Sequence, residues 1–208
     1  MKIVFYGDSI TDAKRNRDFL DPNTGLGNGY VFCASASLLN KDIEGYEIYN
    51  RGISGNRVVD LYARIKSDLW NLEPDLISIL IGVNDVWHEI ERQNGVEIDR
   101  FENIYRILLK ETLERLPGVK IMICEPFVLP GSATEEHSDE FNAVKKYASV
   151  AKRLAEEFGL YFVPLQEMYD SMAEKYGNEK LLRDGVHPTT EGAVLLANEW
   201  LKVFEEIK

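Results

Sequence analysis

The sequence predicts an α/β fold, with a five-stranded parallel sheet held between two layers of helices. Three observations predict it. Five short apolar runs, at residues 2–6, 46–49, 76–81, 119–124 and 160–163, have the length of strands. Stretches with helical spacing lie between them, and strands alternating with helices imply right-handed crossovers and parallel pairing. No repeat, low-complexity tract or linker breaks the chain, so residues 1–208 are read as one domain.

Taken in order, Ile3-Val4-Phe5-Tyr6 opens the sheet almost at the first residue. Residues 46–49 follow as the second strand. Val58, Tyr62, Ile65 and Leu69 are spaced 4-3-4, which places one apolar stripe on a helix face. The third run, Leu76-Ile77-Ser78-Ile79-Leu80-Ile81, is nearly continuous, as expected of a strand covered on both faces. After the fourth run comes the most irregular stretch, 126–136, with Pro126, Pro130 and Gly131. Val144, Ala148, Ala151, Ala155 and Phe158 then repeat at helical spacing, and Leu196, Trp200, Val203 and Ile207 close the chain as a last helix.

Composition excludes several function classes. With 45% hydrophobic residues the chain can bury a full core. Its 24 Lys and Arg stand against 35 Asp and Glu, a net charge of −11 that repels phosphate backbones and anionic lipid. Nucleic acid and membrane surfaces are therefore not expected partners. Cys33 and Cys124 lie in apolar runs, too far apart in sequence for a paired metal motif, and are read as free buried thiols. The N-terminus carries no export-signal pattern, and no apolar stretch approaches the roughly 18 residues that span a bilayer. The expected location is cytoplasmic.

In an open parallel sheet, ligands bind beyond the carboxyl ends of the strands, where the winding direction reverses. Four segments there carry chemistry: Gly7-Asp8-Ser9, Asn50-Arg51-Gly52-Ile53-Ser54-Gly55-Asn56, Gly82-Val83-Asn84-Asp85 and, near the C-terminus, Asp184-Gly185-Val186-His187-Pro188. A serine hydroxyl needs a base, and the base needs an orienting partner. Of three histidines, His88 stands at an apparent helix start and His137 in an acidic stretch, whereas His187 has local scaffolding. Pro188 biases His187 away from the helical region and Gly185 permits a turn, which brings Asp184 within orienting distance. Ser9, His187 and Asp184 are the candidate catalytic residues.

Acyl transfer also needs donors aimed at a developing oxyanion. The candidates are the Ser9 N–H, the Gly52 N–H and the Asn84 amide. Two plainer readings stand beside them: Gly52 as a turn glycine, and Asn84 as a turn side chain bonding its own backbone.

Together these segments resemble, in order, the serine, glycine, asparagine and histidine blocks of the SGNH (GDSL-like) hydrolases, over essentially the whole chain. Ile10 stands where the family's name has leucine. Gly7-Asp8-Ser9-Ile10-Thr11-Asp12, the Asn50–Asn56 segment and Ile81-Gly82-Val83-Asn84-Asp85-Val86-Trp87 look like the intracellular acetylxylan-esterase branch. The resemblance implies a flavodoxin-like α/β/α fold with Ser9 as nucleophile and first oxyanion donor. It makes Gly52 and Asn84 the other donors, His187 the base and Asp184 its partner. It implies a small acylated substrate, an acetylated sugar, with no metal or organic cofactor, and it raises the prospect of a homo-oligomer.

Three further residues are candidate substrate contacts: Asp12, Trp87 and Arg57. Two of them have a plainer alternative, Trp87 as a core aromatic and Arg57 as a solvated side chain. Asp85 is read as a cap on the helix that follows it, Asp8 as a tie to a neighbouring strand end, and Tyr30, Phe32 and Tyr49 as core.

Competing functions are weighed on the same residues. A two-metal phosphatase has ligand types available in Asp8, Asp12, Asn84, Asp85 and His187, but such sites usually take several histidines. A non-catalytic flavodoxin-like binding module leaves the Asp184–His187 turn unexplained. A lysophospholipase or acyl-thioesterase of the same family needs a long apolar channel for the acyl chain, which Tyr30, Trp87 and the 126–136 loop would have to leave open.

Overall fold

A computed structural model describes residues 1–17 and 24–207. Five parallel strands, β1 (Lys2–Gly7), β2 (Glu47–Gly52), β3 (Leu76–Leu80), β4 (Lys120–Cys124) and β5 (Tyr161–Val163), form one sheet in the order β2-β1-β3-β4-β5. The winding therefore reverses between β1 and β3. Among the described residues ten α-helices connect and cover them. They are α1 (Ser9–Asp12), α2 (Tyr30–Lys41), α3 (Val58–Asp68), α4 (Val83–Arg92), α5 (Ile98–Arg115), α6 (Ser138–Phe141), α7 (Val144–Phe158), α8 (Gln166–Tyr176), α9 (Asn178–Leu181) and α10 (Thr190–Glu205).

The apolar stripes decide which face each helix covers. On one face α2 packs on α10, and Phe5 points there, its ring 4.9 Å from Trp200 and 5.7 Å from Tyr30. The single polar residue of β3 is accommodated on that face, because Ser78 Oγ accepts the Trp200 indole N–H at 2.9 Å. On the other face lie α3, α5 and α7, with Tyr6 Oη donating to Leu61 O on α3. Every residue of β3 is buried, as a strand covered on both faces must be.

Three sequence expectations change in detail. The second strand runs on through Asn50, Arg51 and Gly52, because these residues pair in register with Phe5, Tyr6 and Gly7. Phe32 is not core: it lies on the outward side of α2 and is 48% exposed. Tyr49 and Cys33 are half-buried, since alternate residues of an edge strand and one flank of α2 face outward, whereas Tyr30 and Cys124 are fully enclosed. No helix among the described residues is long and apolar enough to cross a membrane.

Candidate active site

The register of the sheet brings three of the four marked segments to one rim. Gly7 at the end of β1 pairs with Gly52 on one side and Leu80 on the other. Ser9 and Asn84 follow within a few residues of those ends. Ser9 is the first residue of α1, where a helix leaves its N–H groups without intrahelical acceptors. Asp8 caps this short helix, its Oδ1 accepting the Ile10 N–H at 2.9 Å, so it does not tie to a neighbouring strand as the sequence suggests. Burial pushes the Asp8 carboxyl up to about 6.

The fourth segment folds back onto this rim as a tight turn. Leu182 and Pro188 form an antiparallel bridge, and Gly185 takes φ +94°, a conformation that an L side chain rarely adopts. The turn is closed by Asp184, whose Oδ1 accepts the backbone N–H groups of Val186 at 3.0 Å and His187 at 2.8 Å. Its Oδ2 lies 2.7 Å from His187 Nδ1, and His187 Nε2 lies 2.9 Å from Ser9 Oγ. Burial pushes the Asp184 carboxyl up. The hydrogen bonds from the imidazole and two amides outweigh burial and hold it well below the usual carboxylate range. A carboxylate receiving the Nδ1 proton leaves Nε2 as an acceptor facing the serine hydroxyl. After the turn, Thr189 caps α10 by accepting the Gly192 N–H at 3.1 Å.

The oxyanion candidates divide. Asn84 Nδ2 donates to Asn56 O at 3.1 Å, which uses one of its two hydrogens and fixes the direction of the other. The Gly52 N–H is already engaged, donating to Asn50 Oδ1 at 2.9 Å. Gly52 has a second reason to lack a side chain, because a Cβ there would lie 2.2 Å from Asp12 N. The close approach of α1 to β2 thus depends on this glycine, which is part of the strand and not a turn residue.

The three candidate substrate contacts are placed differently from the sequence expectation. Asp12 is buried and saturated: Oδ2 accepts the Ser54 N–H at 3.0 Å and the Ser54 hydroxyl at 3.1 Å, and pairs with Arg17 at 3.1 Å. It braces the loop after β2 and does not line the cleft. Arg57 turns to Asp60, one helical turn on, and to Asn94 O at 2.7 Å, which leaves its guanidinium out of the cleft lining. Trp87 stands between Phe141 and His187, with ring centroids 5.7 and 5.9 Å away, and walls the imidazole without lining the cleft. Asp85 is a cap, but for α3 and not for its own helix, accepting the Val58 N–H at 3.0 Å.

Loop 126–136, weighed from the sequence as a part of the pocket wall, does not line the cleft. In the structure it clamps the Asp184–His187 turn: Leu129 N–H donates to Gly185 O at 2.9 Å and Ala133 N–H to Asp184 O at 3.0 Å. The sequence signal was an irregular stretch, of whose apolar residues Phe127 and Leu129 are buried and Val128 is half-buried.

Ser9 and His187 open into a cleft of about 590 Å³. Ser54, Asn28, Thr189 and Thr190 line it, with Ile10, Tyr30 and Pro188 as apolar patches. Among the described residues its charged lining side chains are the cations Lys14 and Arg183, in a chain of net charge −11. No group of three or more His, Cys, Asp or Glu among the described residues is arranged to hold a metal ion.

Comparison with known proteins gives concordant matches. Residues 5–195 match the GDSL-like lipase/acylhydrolase family. An acetylxylan esterase of Geobacillus stearothermophilus is 35% identical over 207 residues, covering 97% of this chain and 92% of that protein. Its crystal structure superposes with a TM-score of 0.87, covering 97% of this chain and 93% of that one. Two further structures of that esterase are described as catalytic mutants, one replacing an aspartate with alanine and the other a serine. A structure from Parabacteroides merdae, described as a GDSL-like lipase, is 39% identical with a TM-score of 0.93, covering 98% of this chain and 95% of its own.

Proposed function

The chain belongs to the GDSL-like lipase/acylhydrolase family and is a carboxylic ester hydrolase; from that premise we propose that it removes O-acetyl groups from short sugars, acetylated xylo-oligosaccharides or close analogues. The observation that carries this reading is the relay Ser9 Oγ, His187 Nε2, Asp184 Oδ2, with successive separations of 2.9 and 2.7 Å.

In the proposed reaction Ser9 Oγ attacks the acetyl carbonyl carbon while His187 Nε2 takes the hydroxyl proton. The carbonyl oxygen becomes an oxyanion stabilised by the Ser9 N–H and the free hydrogen of the Asn84 amide. Gly52 N–H, which donates to Asn50 Oδ1 at 2.9 Å, is not counted among these donors. Asp184 stabilises the imidazolium. Collapse breaks the bond to the sugar oxygen, which leaves as a hydroxyl carrying the histidine's proton. Water, deprotonated by the same imidazole, then attacks acetyl-Ser9 and releases acetate.

Two features support a small polar acyl ester over a long-chain lipid. The cleft sets hydroxyl, amide and cationic groups (Ser54, Asn28, Thr189, Thr190, Lys14 and Arg183) around its apolar patches, which gives sugar hydroxyls bonding partners that an acyl chain would not use. The acetylxylan esterase is similar over 97% of the chain.

The test is acetate release from acetylated xylo-oligosaccharides, alongside acetyl, butyryl and octanoyl p-nitrophenyl esters. Acetyl esters should be fastest, Ser9→Ala should be inactive, and an activated fluorophosphonate should label Ser9. A rate rising to a maximum at eight carbons would overturn the acetyl-sugar assignment, and full activity in Ser9→Ala would overturn the mechanism.

A further inference from the structure

Arg64 lies on α3 and does not line the cleft, and no step of the reaction above uses it. Its side chain is only 13% exposed, and its guanidinium makes four hydrogen bonds. Nε donates to Asn56 Oδ1 at 2.7 Å. Nη1 donates to Arg51 O and to Asp68 Oδ2, both at 2.8 Å, and Nη2 to Gly7 O at 3.0 Å. Cζ sits 4.3 Å from the centre of the Tyr6 ring, so an aromatic face on β1 supports the charge.

The three acceptors other than Asp68 lie on the segments that carry the oxyanion donors. Arg51 O belongs to the same peptide unit as the Gly52 N–H. Gly7 O, which also receives the Ile53 N–H at 3.0 Å, precedes Ser9 by two residues. Asn56 is held through its side chain by Arg64, while its backbone oxygen receives the Asn84 amide at 3.1 Å. One planar cation thus joins the end of β1, the end of β2 and the loop that orients Asn84.

We propose that Arg64 is a positioning residue for the oxyanion donors, setting the Ser9 N–H and the Asn84 amide in one fixed arrangement through its bonds to Gly7 O, Arg51 O and Asn56 Oδ1. Only a guanidinium can do this, because its rigid fork presents donors in three directions. A lysine at the same place keeps the charge and loses the fork. The inference rests on the serine mechanism above and adds to it a residue outside the cleft.

The experiment compares Arg64→Lys and Arg64→Ala with the wild type for kcat, KM, melting temperature and inhibition by phenylboronic acid, whose tetrahedral adduct with Ser9 places an oxygen in the oxyanion site. Misplaced donors should lower kcat by about 10- to 100-fold, with KM within about twofold, because only the transition state makes these bonds. Boronate affinity should weaken in parallel. Ethylguanidinium should restore part of kcat to Arg64→Ala. If that variant does not fold, Arg64→Lys and Asn56→Ala, which cuts only the Asn84 branch, carry the same expectation. Unchanged kcat in folded variants overturns the proposal, as does a fall in melting temperature with boronate affinity unaltered. Activity surviving in Ser9→Ala would instead overturn the mechanism beneath it.

Discussion

The carboxyl of Asp85, in the first turn of α4, closes the N-terminus of a different helix: its Oδ1 accepts the Val58 N–H of α3 at 3.0 Å. This joins the helix carrying Asn84 to the helix carrying Arg64. The arrangement is enclosed, and Asp85 Oδ2 and the Tyr105 hydroxyl have no hydrogen-bond partner among the described residues. Burial pushes the Asp85 carboxyl up from 3.8 to about 8.

That shift has a definite sign. Between about pH 4 and 8 the folded chain holds a proton on Asp85 that the unfolded chain has lost, so stability falls as pH rises through this window. Asp8, pushed up to about 6, acts in the same direction over the lower half. Asp85→Asn keeps an acceptor for Val58 and removes the titration. Melting temperatures at pH 5 and pH 8.5 should differ by several degrees more in the wild type than in the variant. Equal differences would show that Asp85 ionises normally.

Asn84→Ala removes an amide donor that Asn56 holds in direction. Turnover should fall by about 10² to 10³, the scale of one oxyanion donor, with KM little changed. A raised KM with intact kcat would make the amide a substrate-binding group.

Asp184→Asn preserves shape but replaces an acceptor of the Nδ1 proton with a group that can donate to it. The imidazole is then free to present Nε2–H to Ser9, the wrong tautomer for a base. Steady-state kcat should drop by roughly 10³ to 10⁴. Fluorophosphonate labelling of Ser9 should slow alongside it. Near-normal labelling would mean that His187 is oriented by other contacts.

Gly52→Ala drives a methyl to 2.2 Å from the Asp12 amide and 2.6 Å from the Thr11 carbonyl carbon, both backbone atoms of α1. Overpacking of this kind costs about 1–3 kcal/mol. Calorimetry should show a lowered melting temperature together with reduced turnover, because α1 carries Ser9. Loss of activity with the melting temperature untouched would point to the Gly52 N–H and not to packing.

Much of the site was legible in the linear chain, and the reason is locality. Asp184 and His187 are three residues apart around a glycine and ahead of a proline, so the sequence alone brings them together. Ser9 and Asn84 stand just after apolar runs that parallel pairing must align. Allocation of hydrogen bonds was not legible. Asp12 and Arg57 carry the right chemistry for substrate, yet Ser54, Arg17, Asp60 and the Asn94 carbonyl take up their polar atoms, partners that only the folded chain supplies. The clamp of loop 126–136 on the Asp184–His187 turn runs through backbone atoms, which leave no mark in residue identity.

The order of apolar runs and helical stripes therefore determined the layered sheet, its carboxyl rim and the residues able to do acyl chemistry there, because side-chain periodicity and short turns are properties of neighbouring residues. The tertiary structure decided which donors remain available, which carboxylates are saturated, and that one guanidinium on α3 joins the ends of two strands to the loop beneath Asn84. A hydrogen bond needs its two groups within about 3 Å, and between groups on different elements of the fold only the packing of those elements sets that distance.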